Sequence, residues 1–172
     1  LIKKNINSIS ASFTLPFELF HLMQMPYDTT LLYQDLLDEF KWELSVIYPY
    51  ISTKNLVLQY FEIDKGPYNE TSSALVFAIQ RRYLQMLDGF CKKNNLKLKF
   101  IDNLHIAAER SLYVSNPIVY KGLTLSIYFN NKFLSLFYAI NGKPLYFKVI
   151  PLNDAGEITD HLVKETSQTS IL

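Results

Sequence analysis

The sequence is poor in glycine and nearly free of cysteine, with 5 Gly and 1 Cys. Glycine lets a backbone approach a phosphate closely, so few glycines leave little material for phosphate-cradling loops. A lone thiol, Cys91, excludes an intrachain disulfide and fits a reducing compartment. Histidine is sparse too: His21, His105 and His161 fall on a predicted strand and two predicted helices. No pair of them has metal-ligand spacing such as i, i+4 on one helix. Charge of one sign is also missing, because 17 Lys+Arg meet 16 Asp+Glu for a formal +1. That balance argues against a dedicated nucleic-acid binder with a basic stripe. The longest apolar runs, such as FLSLFYAI at Phe133–Ile140, fall far short of the roughly 20 residues a membrane helix requires. Lys3 and Lys4 lead into a mixed polar stretch, which is not a signal-peptide form. GxGxxG, GxxxxGK[ST] and GxSxG are all absent.

What the chain does have is aromatic surface, with 12 Tyr and 12 Phe. An apolar share of 49% against 19% charged residues excludes intrinsic disorder. A length of 172 residues suits one domain or two small subdomains sharing a core. The chain opens on Leu1 rather than Met, and Thr166–Leu172 reads as a helix running on, so a fragment of a longer protein is expected.

Strands are predicted at Ser10–Leu15 and Glu18–Met25, with Pro16 between them. Leu32, Leu36, Phe40, Leu44 and Ile47 recur at helical steps, so Thr30–Ile47 is predicted as an amphipathic helix capped by Asp28 or Thr29. Tyr48-Pro49 ends it. Asn55–Ile63 alternates as a strand does, and Lys65-Gly66-Pro67 with Asn69–Ser72 is the most loop-like stretch. Ser73–Ile79 is a continuous apolar run, the mark of a strand covered on both faces. A helix at Arg81–Asn94 and a strand at Leu96–Ile101 would complete a strand–helix–strand unit, for which parallel pairing is the default. Asp102 or Asn103 caps a third helix over Leu104–Leu112. Strands at Gly122–Phe129, Phe133–Ile140 and Pro144–Ile150 follow, joined by turn-forming Asn130-Asn131 and Asn141-Gly142. After Asp154-Ala155-Gly156 a last helix runs from Glu157 to about Lys164.

Few residues stand out as carriers of chemistry. Cys91 lies on the apolar stripe of its helix, away from the N-terminus that would favour a thiolate, and reads as a small core hydrophobe. Asp35, Asp38, Glu39 and Glu43 read as the solvated face of theirs. Arg81-Arg82 opens the second helix and Lys92-Lys93 closes it. The closing pair suits the helix dipole, whereas the opening pair sits at its unfavourable end and hints at an anionic contact. Trp42, Tyr48, Pro49 and Tyr50 gather at the end of the first helix. Two readings stay open for them: a small local core, or rigid contact area for an apolar peptide.

Three blocks, MPYD (Met25–Asp28), FKWELSVIYPY (Phe40–Tyr50) and NLVLQYFEID (Asn55–Asp64), resemble the PilM-type actin-like proteins of type IV pilus assembly. So do FIDNLHIAAERSL (Phe100–Leu112) and NGKPLYFKVIP (Asn141–Pro151) in their order and spacing. The resemblance runs over about Phe13–Val163. It implies an α/β, ribonuclease-H-like (actin-like ATPase) fold, partial here. Residues 13–64 would be a small inserted α+β subdomain and residues 65–172 the actin-like subdomain. It further implies an FtsA-like relative at the cytoplasmic face of the inner membrane, bound to a PilN-like partner, with GspL-type secretion proteins related in fold and role. The second phosphate loop of such a fold would lie within LTLSIYFNNKF (Leu123–Phe133), which holds neither Asp nor Gly. The expectation is therefore a non-catalytic scaffold with no cofactor, nucleic acid or membrane insertion. The alternative is an actin-like ATPase whose first phosphate loop lies outside this sequence.

Overall fold

The computed structural model describes residues 10–63, 65, 70–153 and 156–169. The expected turn residues Asp154 and Ala155, and Gly66, Pro67 and Asn69 of the expected loop, lie outside the described residues. Among the described residues, eight strands and four helices follow in the order β1 (Ser10–Leu15), β2 (Phe20–Pro26), α1 (Tyr33–Ile47), β3 (Leu56–Ile63), β4 (Ser73–Gln80), α2 (Arg81–Lys93), β5 (Lys97–Asn103), α3 (Leu104–Ser115), β6 (Leu123–Phe129), β7 (Phe133–Ile140), β8 (Lys143–Pro151) and α4 (Glu157–Thr169). They form three small sheets: parallel β1-β5, antiparallel β2-β4-β3 and antiparallel β6-β7-β8.

β4 and β7 read as continuous apolar runs because each is the middle strand of its sheet and is covered on both faces. Side chains alternate along a strand, so Ala74, Val76 and Ala78 meet Leu36, Phe40 and Leu44 of α1. Leu75 and Phe77 turn the other way, into a central core with Phe17, Ile106, Phe137 and Phe147. On β7, Phe137 and Ala139 join that centre, while Leu134, Leu136 and Tyr138 pack toward Ile158 and Leu162 of α4. The central core thus locks two sheets and α3 into one body.

Turn chemistry fixes the connections. Asn141 and Gly142 take φ of 51° and 78°, the pair of left-handed residues that a tight hairpin between twisted strands requires. Helix α2 ends with Asn95 at φ 53°, where the Leu96 N–H reaches the Cys91 carbonyl at 2.8 Å and the Asn95 N–H that of Lys92 at 3.3 Å. This is a Schellman closure with asparagine in the glycine position.

Three expectations need correction. The strand after α2 does not pair with the strand before it, because both edges of β4 are already taken by β2 and β3. β5 therefore pairs in parallel with β1. Neither Asp28 nor Thr29 caps α1. The Asp28 carboxylate accepts from the Thr30 N–H and hydroxyl, closing a local turn, and the helix begins at Tyr33. The strand after Pro16 starts two residues later than expected, since Phe17–Leu19 forms a 3-10 turn. The expected subdomain boundary at residues 64/65 falls between β3 and β4, which pair antiparallel along their whole lengths.

Candidate functional site

Helix α1 points Leu36, Phe40 and Leu44 inward, and a residue two steps before Leu44 must then face out. Trp42 is accordingly 66% exposed, beside the equally outward Val46. Tyr48 follows the helix and packs against the local core, its ring 5.1 Å from His21 and 6.1 Å from Tyr50. Pro49 is exposed, and Tyr50 is 80% exposed. The four residues therefore do not close into one cluster. Tyr48, Pro49 and Tyr50 sit together at the helix end, and Trp42 stands apart on its outer face. The inner side of Tyr48 lines a cleft of about 270 Å³ with Phe17, Phe20, His21 and Phe133. Burial in this cleft lowers the pKa of His21 below its ordinary value of 6.5.

The turn between β6 and β7 is where an actin-like fold would place its second phosphate loop. Here the carboxamide oxygen of Asn130 accepts from the Lys132 and Phe133 N–H groups at 2.8 and 2.9 Å. The Asn130 N–H in turn donates to the Phe133 carbonyl at 2.9 Å. The amides that a phosphate would need are thus taken up within the turn. The aromatics preceding it do not fill that place. Strand alternation sends Tyr128 into the central core, 5.5 Å from Phe17, and leaves Phe129 exposed on the other side.

One polar cluster escaped the sequence reading. Asn103 caps α3 by accepting from the His105 N–H at 2.9 Å, which fixes His105 in the first turn of the helix and buries it to 1% exposure. The ring nitrogens lie 2.8 Å (Nδ1) from Ser135 Oγ and 2.9 Å (Nε2) from Ser126 Oγ. The Ser126 hydroxyl donates to Glu109 Oε1. Because that serine proton is directed at the carboxylate, Nε2 carries the imidazole proton toward Ser126 and Nδ1 accepts from Ser135. Phe17, Tyr128, Phe137 and Phe147 surround the ring. Desolvation holds the His105 pKa down at about 4, with Glu109 opposing in part. In a hydrolytic triad the carboxylate would orient the imidazole from the nitrogen opposite the serine. Here it binds the serine itself, so the cluster ties α3 to β6 and β7 and offers no free nucleophile. Its sequence signal was the His105/Glu109 i, i+4 pair facing inward serines on two predicted strands.

Three sheets, a meander of three antiparallel strands and helices packed around one shared core define a partial actin-like α/β fold. No family model matches the sequence, and no curated protein matches it. Solved structures do. One is the PilM-PilN type IV pilus biogenesis complex, with a TM-score of 0.55 at 16% identity over 85% of this chain and 43% of that one. A second is the cytoplasmic domain of EpsL, an inner membrane component of the type II secretion system of Vibrio cholerae, at TM-score 0.54 and 12% identity over 87% and 52%. A third is a Bacteroides thetaiotaomicron protein with an actin-like ATPase fold and unknown function, at TM-score 0.53 and 9% identity over 94% and 55%. The chain spans about half the length of these structures. Among the described residues, no helix is long and apolar enough to cross a membrane.

Proposed function

We propose that the chain is part of a non-catalytic scaffold that recruits a protein or peptide partner in a pilus or secretion assembly. The single observation behind the non-catalytic half is the β6–β7 turn, whose Lys132 and Phe133 amides are satisfied by Asn130. A phosphate bound there would have to displace an internal acceptor, and no glycine stands in the turn to admit it. The recruiting half is supported by Trp42 and Tyr50, large aromatics left in solvent on either side of the half-buried Tyr48 and the exposed Pro49. On this reading the partner is a PilN-like, membrane-anchored protein, and the complex sits at the cytoplasmic face of the inner membrane.

Calorimetric titration of the full-length protein with magnesium and ATP tests the first half, and no binding heat is expected. Micromolar, magnesium-dependent binding would refute it and favour the actin-like ATPase whose first phosphate loop lies outside this sequence. For the second half, Trp42→Ala and Tyr50→Ala should each weaken binding of an N-terminal PilN-like peptide while leaving the fold intact. Unchanged affinity in both would remove these residues from the contact.

A further inference from the structure

Helix α2 buries Leu87 and Cys91, so the positions half a turn away, Arg82, Met86, Gly89 and Lys93, line its outer face. Met86 is 61% exposed, and Phe90, packed edge-on against Phe13 of β1 at 6.1 Å, remains 51% exposed. On the neighbouring strand Phe13 is the register partner of Ile101 and Ala11 that of Leu98, and the register shift between these pairs puts Lys97, the partner of Ser10, on the side of the sheet away from α2. Six cations fall in residues 81–99, four of them on α2 (Arg81, Arg82, Lys92 and Lys93) and two on β5 (Lys97 and Lys99), all exposed. The same segment has one carboxylate, Asp88, bound to Lys92 at 2.5 Å. Six minus one gives +5 for this stretch, in a chain whose total is +1. Compensating acids lie on another helix, where Asp35, Asp38, Glu39 and Glu43 belong to α1. Near-neutrality of the whole chain thus conceals a strong separation of charge.

We propose that the outer face of α2 docks on the surface of an anionic lipid bilayer, with Met86 and Phe90 entering the headgroup boundary. The occupant follows from the combination of side chains. Cations draw the face to a negative leaflet, and exposed apolar side chains on the same helix face gain by leaving water at the acyl boundary. A nucleic acid would set Met86 and Phe90 against phosphates, where neither gains. A second copy approaching through the same face would bring like charges together. The proposal does not depend on the aromatic residues around the end of α1, so it stands or falls separately from the scaffold reading.

The test is flotation of the full chain with vesicles of mixed phosphatidylcholine and phosphatidylglycerol, and with pure phosphatidylcholine as control. Binding is expected only to the anionic vesicles, and it should fade as salt is raised. Reversing two cations in Arg82→Glu/Lys93→Glu should weaken binding by about 30-fold or more, since each basic residue near such a surface is worth roughly a factor of five. Met86→Ser/Phe90→Ser keeps the charge and should still weaken binding several-fold; its circular dichroism should match that of the parent. Equal binding to neutral vesicles, or no binding to anionic ones, overturns the proposal. So does duplex DNA binding that displaces vesicles and is indifferent to Met86→Ser/Phe90→Ser. Concentration-dependent self-association abolished by Arg82→Glu/Lys93→Glu, with no vesicle binding, would reassign the face to a head-to-tail contact with α1.

Discussion

Acidification should destabilise this fold through His105. His105 is neutral in the folded chain, with its pKa lowered from 6.5 to about 4 by burial. In the unfolded chain it titrates normally, so below pH 6.5 the unfolded state binds a proton that the folded state refuses. Stability is therefore intact above pH 6.5, declines as pH falls, and stops declining below about 4, where both states are protonated. At 1.36 kcal/mol per unit the full window amounts to roughly 3 kcal/mol, a large share of a typical domain's 5–15 kcal/mol. Glu109, 3.8 Å from Nε2, opposes part of the desolvation, and its effect is already contained in the value of about 4. Other groups also titrate in the window, so the informative quantity is a difference. His105→Gln keeps a donor for Ser126 and an acceptor for Ser135 but has no proton to gain. Urea unfolding of both proteins at neutral pH and at several acidic values gives the gap between them. His105→Gln should be the less stable at neutral pH, and the gap should shrink by about 2–3 kcal/mol on approaching pH 4. A gap that stays constant with pH would refute the reasoning, because His105 would then not be held neutral by its surroundings.

Further outcomes follow from the packing. Phe40→Ala empties the contact between α1 and the β2-β4-β3 sheet, where Phe40 is fully buried, and should cost about 3–5 kcal/mol in chemical denaturation. Trp42→Ala removes a side chain that faces water and should change the unfolding free energy by no more than about 0.5 kcal/mol. A loss comparable to that of Phe40→Ala would mean that Trp42 is a core residue after all. Asn130→Ala strips the acceptor from the Lys132 and Phe133 amides. Its expected cost is about 1 kcal/mol of stability, together with faster amide exchange at those two positions, which NMR can follow.

How far the sequence could be read depended on how far apart the deciding residues lie. Periodicity is local, and it placed α1, α2, β4 and β7 because each carries its own apolar pattern. Pairing is not local. Whether β5 joins β4 or β1 is decided by which edges remain open, and β4 has none once β2 and β3 are in place. The same distinction divides the candidate sites. Trp42 was left open between core and contact surface; its place two steps before Leu44 turns it outward, and its separation from Tyr48 depends on how the chain leaves the helix. His105 was passed over because its partners Ser126 and Ser135 lie 21 and 30 residues away and declare themselves only when α3 is laid on the β6-β7-β8 sheet. Glycine poverty drew attention to the β6–β7 turn, but not to its internal bonding: Tyr128 leaves the turn for the core, and a single carboxamide occupies the Lys132 and Phe133 amides. The basic dipeptides show the converse. Arg81-Arg82 and Lys92-Lys93 were weak as separate signals, and they gain weight only because one helix carries both pairs on its solvent side. Composition averaged that face away, since a chain of net charge +1 can hold +5 in one segment provided its acids are carried elsewhere.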